Sequence, residues 1–442
     1  MSNPKKYTVP FIALTSLFFM WGFITVIVDA FIPRLRDIFE LSYGEASFVQ
    51  VAWFLAYLLV SIPAGMILSN IGYKRGMILG LAIAGFGCLL FYPAAAYRLS
   101  PLFALALFVL ASGITVLQVA ANPFVAVLGP EDKASSRLNL SQAFNSFGTT
   151  LAPIFAAAFL LSDKIKSSDQ ITTLSAVDKE AYYTSEAMAV QNPFIFIALS
   201  LFLLAGIFAF LKLPKIIGDD FSSGGFTEAL KFNNLKMGIV AIFVYVGAEV
   251  AIGSYLVNYF MEMGLDKAIL SNDFTRGLAE TMSSLFSGKD ISTIDGKAVV
   301  GTFVTFYWGG AMIGRFIGSF LMRFINPGKI LATFTLGAIA LLILTITNTG
   351  FFAMWTVLFI GLFNSIMFPT IFTMSIDGLG DYKPQASGWL CSAIFGGAVI
   401  PPLFGILADS FGFSIAFVLP IICYLYIMLF GLVNSRKKVE IS

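Results

Sequence analysis

The sequence predicts an all-α integral membrane protein of twelve transmembrane helices, arranged as two pseudo-symmetric six-helix bundles. Three observations carry this expectation. Hydrophobic residues make up 58% and charged residues 12% of a 442-residue chain, far outside the range of soluble domains. Twelve apolar stretches are long enough to cross ~30 Å of hydrocarbon, which takes about 20 residues of helix. The second six stretches also echo the first in sequence.

In chain order, the first half supplies spans near 10–32, 46–69, 77–96, 101–128, 138–162 and 193–214. Span one follows Lys5 and Lys6 and runs beyond the apolar core of a cleavable signal, so it is expected to remain in the mature protein. After span six comes "KLPKIIGDDFSSGGFTEALKFNNLK", residues 212–236, where Gly, Ser and charge replace the apolar pattern. This reads as a linker. The second half then places spans near 237–261, 299–321, 330–348, 351–377, 386–408 and 412–434. The organisation is therefore a bundle over 1–211, a linker over 212–236 and a bundle over 237–442, with long outer loops near 163–192 and 262–298.

The halves share traces of one pattern. "GTTLAPIFA" at 148–156 aligns with "GAVIPPLFG" at 397–405, pairing Gly148 with Gly397, Pro153 with Pro402 and Phe155 with Phe404. "NPFVAVLG" at 122–129 parallels "FPTIFTMS" at 368–375 through Pro123 and Pro369. Both place span four over ten and five over eleven.

Lysine and arginine set the expected orientation. One set of segments carries Lys5, Lys6, Lys74, Arg75, Lys133, Arg137, Lys212, Lys236, Arg323, Lys329, Lys383 and Arg436, among others, whereas the short segments opposite carry Arg34, Arg36 and Arg98. Both termini and the linker are thus expected in the cytoplasm, with the chain in a cell membrane of the bacterial inner-membrane type.

Composition also narrows the chemistry. A net charge of +2 gives no sign of a nucleic-acid partner, and the absence of histidine removes imidazole as base, relay or metal ligand. Cys88, Cys391 and Cys423 fall within spans, where thiols pack as small apolar groups. No nucleophile–base pair, phosphate loop or metal-ligand cluster is visible, so neither an enzyme nor a cofactor is expected.

Against this apolar background, "LQVAANPFVAVLGPEDKASSRLNLSQAFNSFGTT", residues 117–150, stands out. Gln118 and Asn122 are four apart and share one helical face, as do Gln142 and Asn145 at three apart. Pro123 lacks an N–H, so the carbonyl of Val119 loses its helical donor and is open to another partner. Amides buried in a membrane face the protein interior or a wet cavity. Bonding between spans four and five is the bland explanation. Two amide faces with a freed carbonyl beside them read instead as the wall of a polar ligand site, with Asn364 facing them from span ten. Amides both donate and accept, which suits a ligand with several hydroxyls. Sugars also pack their C–H faces on aromatic rings, and Trp53, Tyr57, Tyr245, Tyr307, Trp308 and Trp389 are the candidates within spans.

Two carboxylates, Asp29 in span one and Glu249 in span seven, lie deep inside spans, one from each half. A charge at that depth costs several kcal/mol on most scales, which makes each acid a candidate for carrying a coupling ion. The structural alternative for either is a hydrogen bond or an ion pair with Arg315. Amides, carbonyls and two carboxylates also suit Na⁺.

Taken together, "AANPFVAVLGPE", "RLNLSQAFNSFG", "YVGAEVAIGSYLVNYF" and "FPTIFTMSIDGLG" resemble the fucose–galactose–glucose:proton symporter family of the major facilitator superfamily. The similarity runs from "FFMWGFITVIVDAFIPRL" to span eleven. It implies uptake of a monosaccharide driven by a cation gradient, H⁺ ahead of Na⁺, through alternating access of the two halves around a site near the midplane. Asp29 matches the family's coupling aspartate in span one. The fucose transporters carry a second acid in span four, where this chain has Gln118; Glu249 is expected to take over that part. "LQVAANP" with "YVGAEV" looks closer to the glucose/galactose branch. The segment "GMILSNIGYKRG", 65–76, is a partial match to the superfamily's motif between spans two and three: Gly65, Gly72, Lys74 and Arg75 fit, but Ser69 replaces an acid, so no charge lock is expected there. Expected partners are a sugar, H⁺ or Na⁺ as coupling ion, and the bilayer, with the protein acting as a monomer. An uncoupled uniporter and a drug exporter are the rival readings.

Overall fold

The computed structural model describes residues 5–38, 43–97, 99–160, 173–213, 226–286, 290–291 and 294–435. The regular elements among them are helices. The first half consists of α1 (Lys5–Ile38), α2 (Tyr43–Tyr97), α3 (Ser100–Val127), α4 (Ala134–Leu160) and α5 (Ala176–Phe210). α2 comprises two crossings, because Gly72 sits at φ 78° and ψ 163° and breaks the helix there. That backbone conformation is open to glycine and strained for other residues.

The second half begins with α6 (Asn233–Glu262), followed by the short α7 (Leu265–Ser271) and α8 (Asp273–Phe286). Then come α9 (Gly296–Leu321), α10 (Pro327–Thr347), α11 (Gly350–Asn364), α12 (Met367–Ile376), α13 (Lys383–Ser392), α14 (Gly396–Phe411), α15 (Phe413–Ala416) and α16 (Val418–Ser435). Among the described residues, nine stretches are long and apolar enough to cross a membrane, with 52–97 counted as one. Dividing that stretch at Gly72 and adding α4 and α9 gives the twelve crossings of the expected fold.

Three predicted features differ in detail. Span ten is broken at Ser365–Ile366, between α11 and α12, just ahead of Pro369, whose ring and missing N–H disturb the preceding turn. Residues 262–298 are not a plain loop. Gly264, at φ 66°, separates α6 from α7, and the Asn272 Oδ1 accepts from the amides of Phe274 and Thr275, each at 3.1 Å, to start α8. Likewise α5 begins at Ala176, well before the expected 193, because Ser175 Oγ accepts from Asp178 N at 3.2 Å and caps it.

The halves meet where α2 and α3 pack on α13, and where α4 packs on α9 and α12. Much of this contact lies at the face where the linker joins α5 to α6. There, Ser136 and Ser319 exchange hydroxyl-to-carbonyl bonds of 2.7 and 2.9 Å, and the Ser135 and Thr373 hydroxyls are 2.7 Å apart. Asn139 Nδ2 donates to Thr370 Oγ1 at 3.1 Å. Lys133 Nζ donates to the Arg323 carbonyl at 2.7 Å, and Lys383 pairs with Glu131 at 3.2 Å. Gly65 and Gly388 bring α2 and α13 together backbone to backbone: a Cβ on Gly388 would stand 2.8 Å from the Ser61 carbonyl oxygen. Small residues permit such approach between membrane helices. Ser69, in the motif where an acid is usual, bonds only the Met66 carbonyl of its own helix, at 2.7 Å.

Candidate functional site

Two neighbouring sets of polar contacts lie between the halves. The first begins on α4, where Gln142 is buried and its backbone carbonyl accepts from Arg315 Nη1 at 3.5 Å. The same nitrogen donates to Ser146 Oγ. Arg315, on α9, then donates through Nε to the Ser365 carbonyl at 3.0 Å. Pro369 lies four residues after Ser365, so this carbonyl has lost its helical donor just as Val119 has. Next along α11, Asn364 donates through Nδ2 to the Tyr307 hydroxyl at 2.7 Å. Tyr307 is itself a donor to the Glu249 carbonyl at 3.4 Å, and Tyr245 donates to Glu249 Oε1 at 2.7 Å.

The helices explain why these side chains converge. Tyr245 and Glu249 are four apart on α6 and so share one face. The break between α11 and α12 places Ser365 as the residue that follows α11, next to Asn364. Asn364 Oδ1 makes no hydrogen bond, and beside it lies the Tyr424 hydroxyl, which is likewise buried without a conventional bond. A polar group held dry without a partner is costly, and the Asn364 amide and Tyr424 hydroxyl offset that cost by facing each other beside Glu249.

A further polar group lies on α3. Gln118 donates through Nε2 to the Tyr57 hydroxyl of α2. Asn122 is fully buried and neither of its amide atoms makes a conventional hydrogen bond; what it has beside it is the Cys391 thiol of α13, a weak donor and acceptor. The carbonyl that Pro123 frees at Val119 accepts from Ser387 Oγ of α13 at 2.8 Å. That open acceptor is therefore taken by the opposite half.

The structure thus brings Asn364, Tyr307, Tyr245 and Glu249 into one cluster, meets Gln142 at its backbone carbonyl alone, and sets Gln118 and Asn122 against α2 and α13. Asn145 behaves differently: it is partly exposed, and its Nδ2 donates to the Phe18 carbonyl of α1 at 2.9 Å, the bonding between spans that its position alone left open. Trp389 is not brought to the amides. Its indole N–H donates to the linker carbonyl of Phe226 at 3.3 Å and its ring packs on Phe226, 4.8 Å between centroids. Asp29 lies on α1, but its side chain is outside the described residues. For Glu249, the bonded partner of the carboxylate is Tyr245 rather than Arg315. Sequence reasoning missed Ser387, Ser146 and Tyr424. One signal was available: Pro369 frees the Ser365 carbonyl just as Pro123 frees that of Val119.

Residues 11–390 match the Major Facilitator Superfamily model. A glucose/galactose transporter of Brucella abortus is 47% identical over 438 residues, covering 99% of this chain and 96% of that protein. An L-fucose-proton symporter of Escherichia coli is 32% identical over 443 residues, covering 98% and 94%. A superfamily transporter crystallised in the outward conformation superposes with a TM-score of 0.86 at 31% identity, covering 98% of this chain and 100% of that one. The chain is a member of the Major Facilitator Superfamily and, within it, of the fucose–galactose–glucose:proton symporter family.

Proposed function

We propose that this protein imports a hexose of the glucose or galactose type together with a proton, by alternating access of its two halves. The observation that carries the reading is Arg315 of one half reaching Ser146 and the Gln142 backbone carbonyl of the other, beside the buried cluster of Asn364, Tyr307, Tyr245 and Glu249. It joins the two halves inside a membrane, where buried polar groups mark substrate and ion paths. The relatives named as glucose/galactose transporters and fucose-proton symporters supply the substrate class and the ion.

In this reading, Gln118, Asn122, Gln142, Asn145 and Asn364 bind sugar hydroxyls, Tyr245 supports the site, and Asp29 and Glu249 carry the coupling ion. Trp389 serves the linker instead. Residues 1–211 and 237–442 are the two moving bundles and 212–236 joins them. The linker face is cytoplasmic, a reading that the excess of Lys and Arg there supports, and the contacts described above tie the two halves together at that face. The protein works as a monomer in a bacterial inner membrane.

The test is uptake into proteoliposomes of labelled glucose or galactose, with competing sugars and with an imposed pH or Na⁺ gradient. Accumulation driven by the pH gradient supports the reading. Accumulation driven only by Na⁺ reassigns the ion; equilibration without accumulation makes the protein a uniporter; no sugar movement rejects the proposal.

A further inference from the structure

Helix α3 carries an unusual vacancy in its hydrogen bonding. Pro123 has no N–H to offer the Val119 carbonyl, and that carbonyl lies in a buried stretch of helix. The donor that fills the vacancy, Ser387 Oγ at 2.8 Å, belongs to α13 in the other half. Ser387 is completely buried, one residue from the Gly65–Gly388 contact. Beside it lie Asn122 and Cys391, which face each other across the same seam.

The repeat provides a comparison. Pro369 frees the Ser365 carbonyl in the same way, but the Nε that takes it belongs to Arg315 of the same half. A bond within one half survives when the halves separate. The Ser387 bond does not, so its whole strength bears on whether this face is open or closed. When the face opens, water takes over the Val119 carbonyl.

We propose that Ser387 is a positioning residue of the transport cycle: its hydroxyl holds the linker face closed by donating to the carbonyl that Pro123 leaves open, and releases it when that face opens. The inference rests on the alternating-access reading above, but its test needs no sugar. Cys391 reports the seam directly, since it is fully buried while the face is closed. In the full-length protein with Cys88 and Cys423 replaced by alanine, the rate of Cys391 alkylation by N-ethylmaleimide measures how often the seam opens.

Loss of one buried hydrogen bond predicts that Ser387→Ala raises this rate about 5- to 10-fold. Ser387→Thr, which keeps the hydroxyl, should stay near the reference, whereas Ser387→Val, of the same shape without it, should label fast. In a Pro123→Ala background, the restored N–H satisfies Val119, so Ser387→Ala should change the rate less than about twofold. Unchanged labelling in Ser387→Ala overturns the proposal. So does an equal increase with and without Pro123, or equal rates for the threonine and valine variants; the last comparison decides the matter if the alanine variant does not fold. Failure of sugar uptake in proteoliposomes would reject the transport reading while leaving these labelling rates to be judged independently.

Discussion

Replacing Gly388 with alanine adds one methyl group at the point where the two halves touch backbone to backbone. Its Cβ would lie 2.8 Å from the Ser61 carbonyl oxygen and 3.4 Å from the Gly65 Cα. Backbone atoms cannot rotate away as a flexible side chain would, so α2 and α13 must separate to make room. Overpacking of this kind costs about 1–3 kcal/mol. Because the contact joins different halves, that cost falls on the state closed at the linker face and is relieved when the face opens. The ratio of closed to open molecules should therefore fall about 5- to 150-fold. A sugar that binds the closed state more tightly than the open one then shows a raised apparent dissociation constant, by at most the ratio of the two affinities. The assay is equilibrium binding of labelled glucose to the purified protein, with Gly206→Ala as control, since a Cβ there meets nothing within 4 Å. Glucose affinity unchanged in Gly388→Ala, or weakened equally in both variants, would refute the reasoning.

Three further outcomes are expected. Gln118→Ala and Gln142→Ala should each weaken sugar binding by about 1–3 kcal/mol, through hydroxyls left without partners; unchanged affinity in both would remove the amides from the site. Asp29→Asn and Glu249→Gln should abolish accumulation against a gradient yet retain sugar exchange, which needs no net release of the ion; preserved ion-driven accumulation in either would make that acid structural. At the linker, the Tyr382 hydroxyl, 3.0 Å from Glu228 Oε2, and then Lys231 hold the Glu228 carboxyl below its ordinary value. A carboxylate with a lowered folded-state pKa stabilises above its unfolded value, about 4.3, and that contribution disappears as pH falls through the folded value. Tyr382→Phe should thus melt slightly earlier than the parent at pH 7 and together with it at low pH; a gap that persists in acid would show that Glu228 is not its source.

Spans were legible because apolar length is a local property, and Gly72 was legible as a motif glycine although its role in ending a helix was not. α7 and α8 escaped because they are short and polar, and depend on Gly264 and the Asn272 cap rather than on apolar length. In the site, the spacing of Gln118 with Asn122 and of Gln142 with Asn145 identified faces, but not what those faces meet. Tyr57, Phe18 and Ser387 lie 61, 127 and 268 residues from their partners, and no periodicity encodes such pairings. Trp389 shows the same limit from the other side. An aromatic ring in a span suits a sugar, but a linker carbonyl within 3.3 Å claims it first. The open Val119 carbonyl is the opposite case, since a missing N–H is written in the sequence and only the identity of its donor awaited the fold.

The contact of Gly65 with Gly388 also bears on leakage. A water molecule needs about 10–15 Å³ of free space and several polar partners, and two helices touching through their backbones leave neither between them. Protons cross proteins along files of water or ionisable groups, so a seam closed in this way admits no such file between these two helices. If Glu249 carries the coupling ion as proposed, the ion can then exchange with one side of the membrane without short-circuiting the gradient between turnovers. On this view the glycines are electrical insulation as much as they are packing, and a bulkier residue that props the seam ajar would de-energise the membrane even in the absence of sugar.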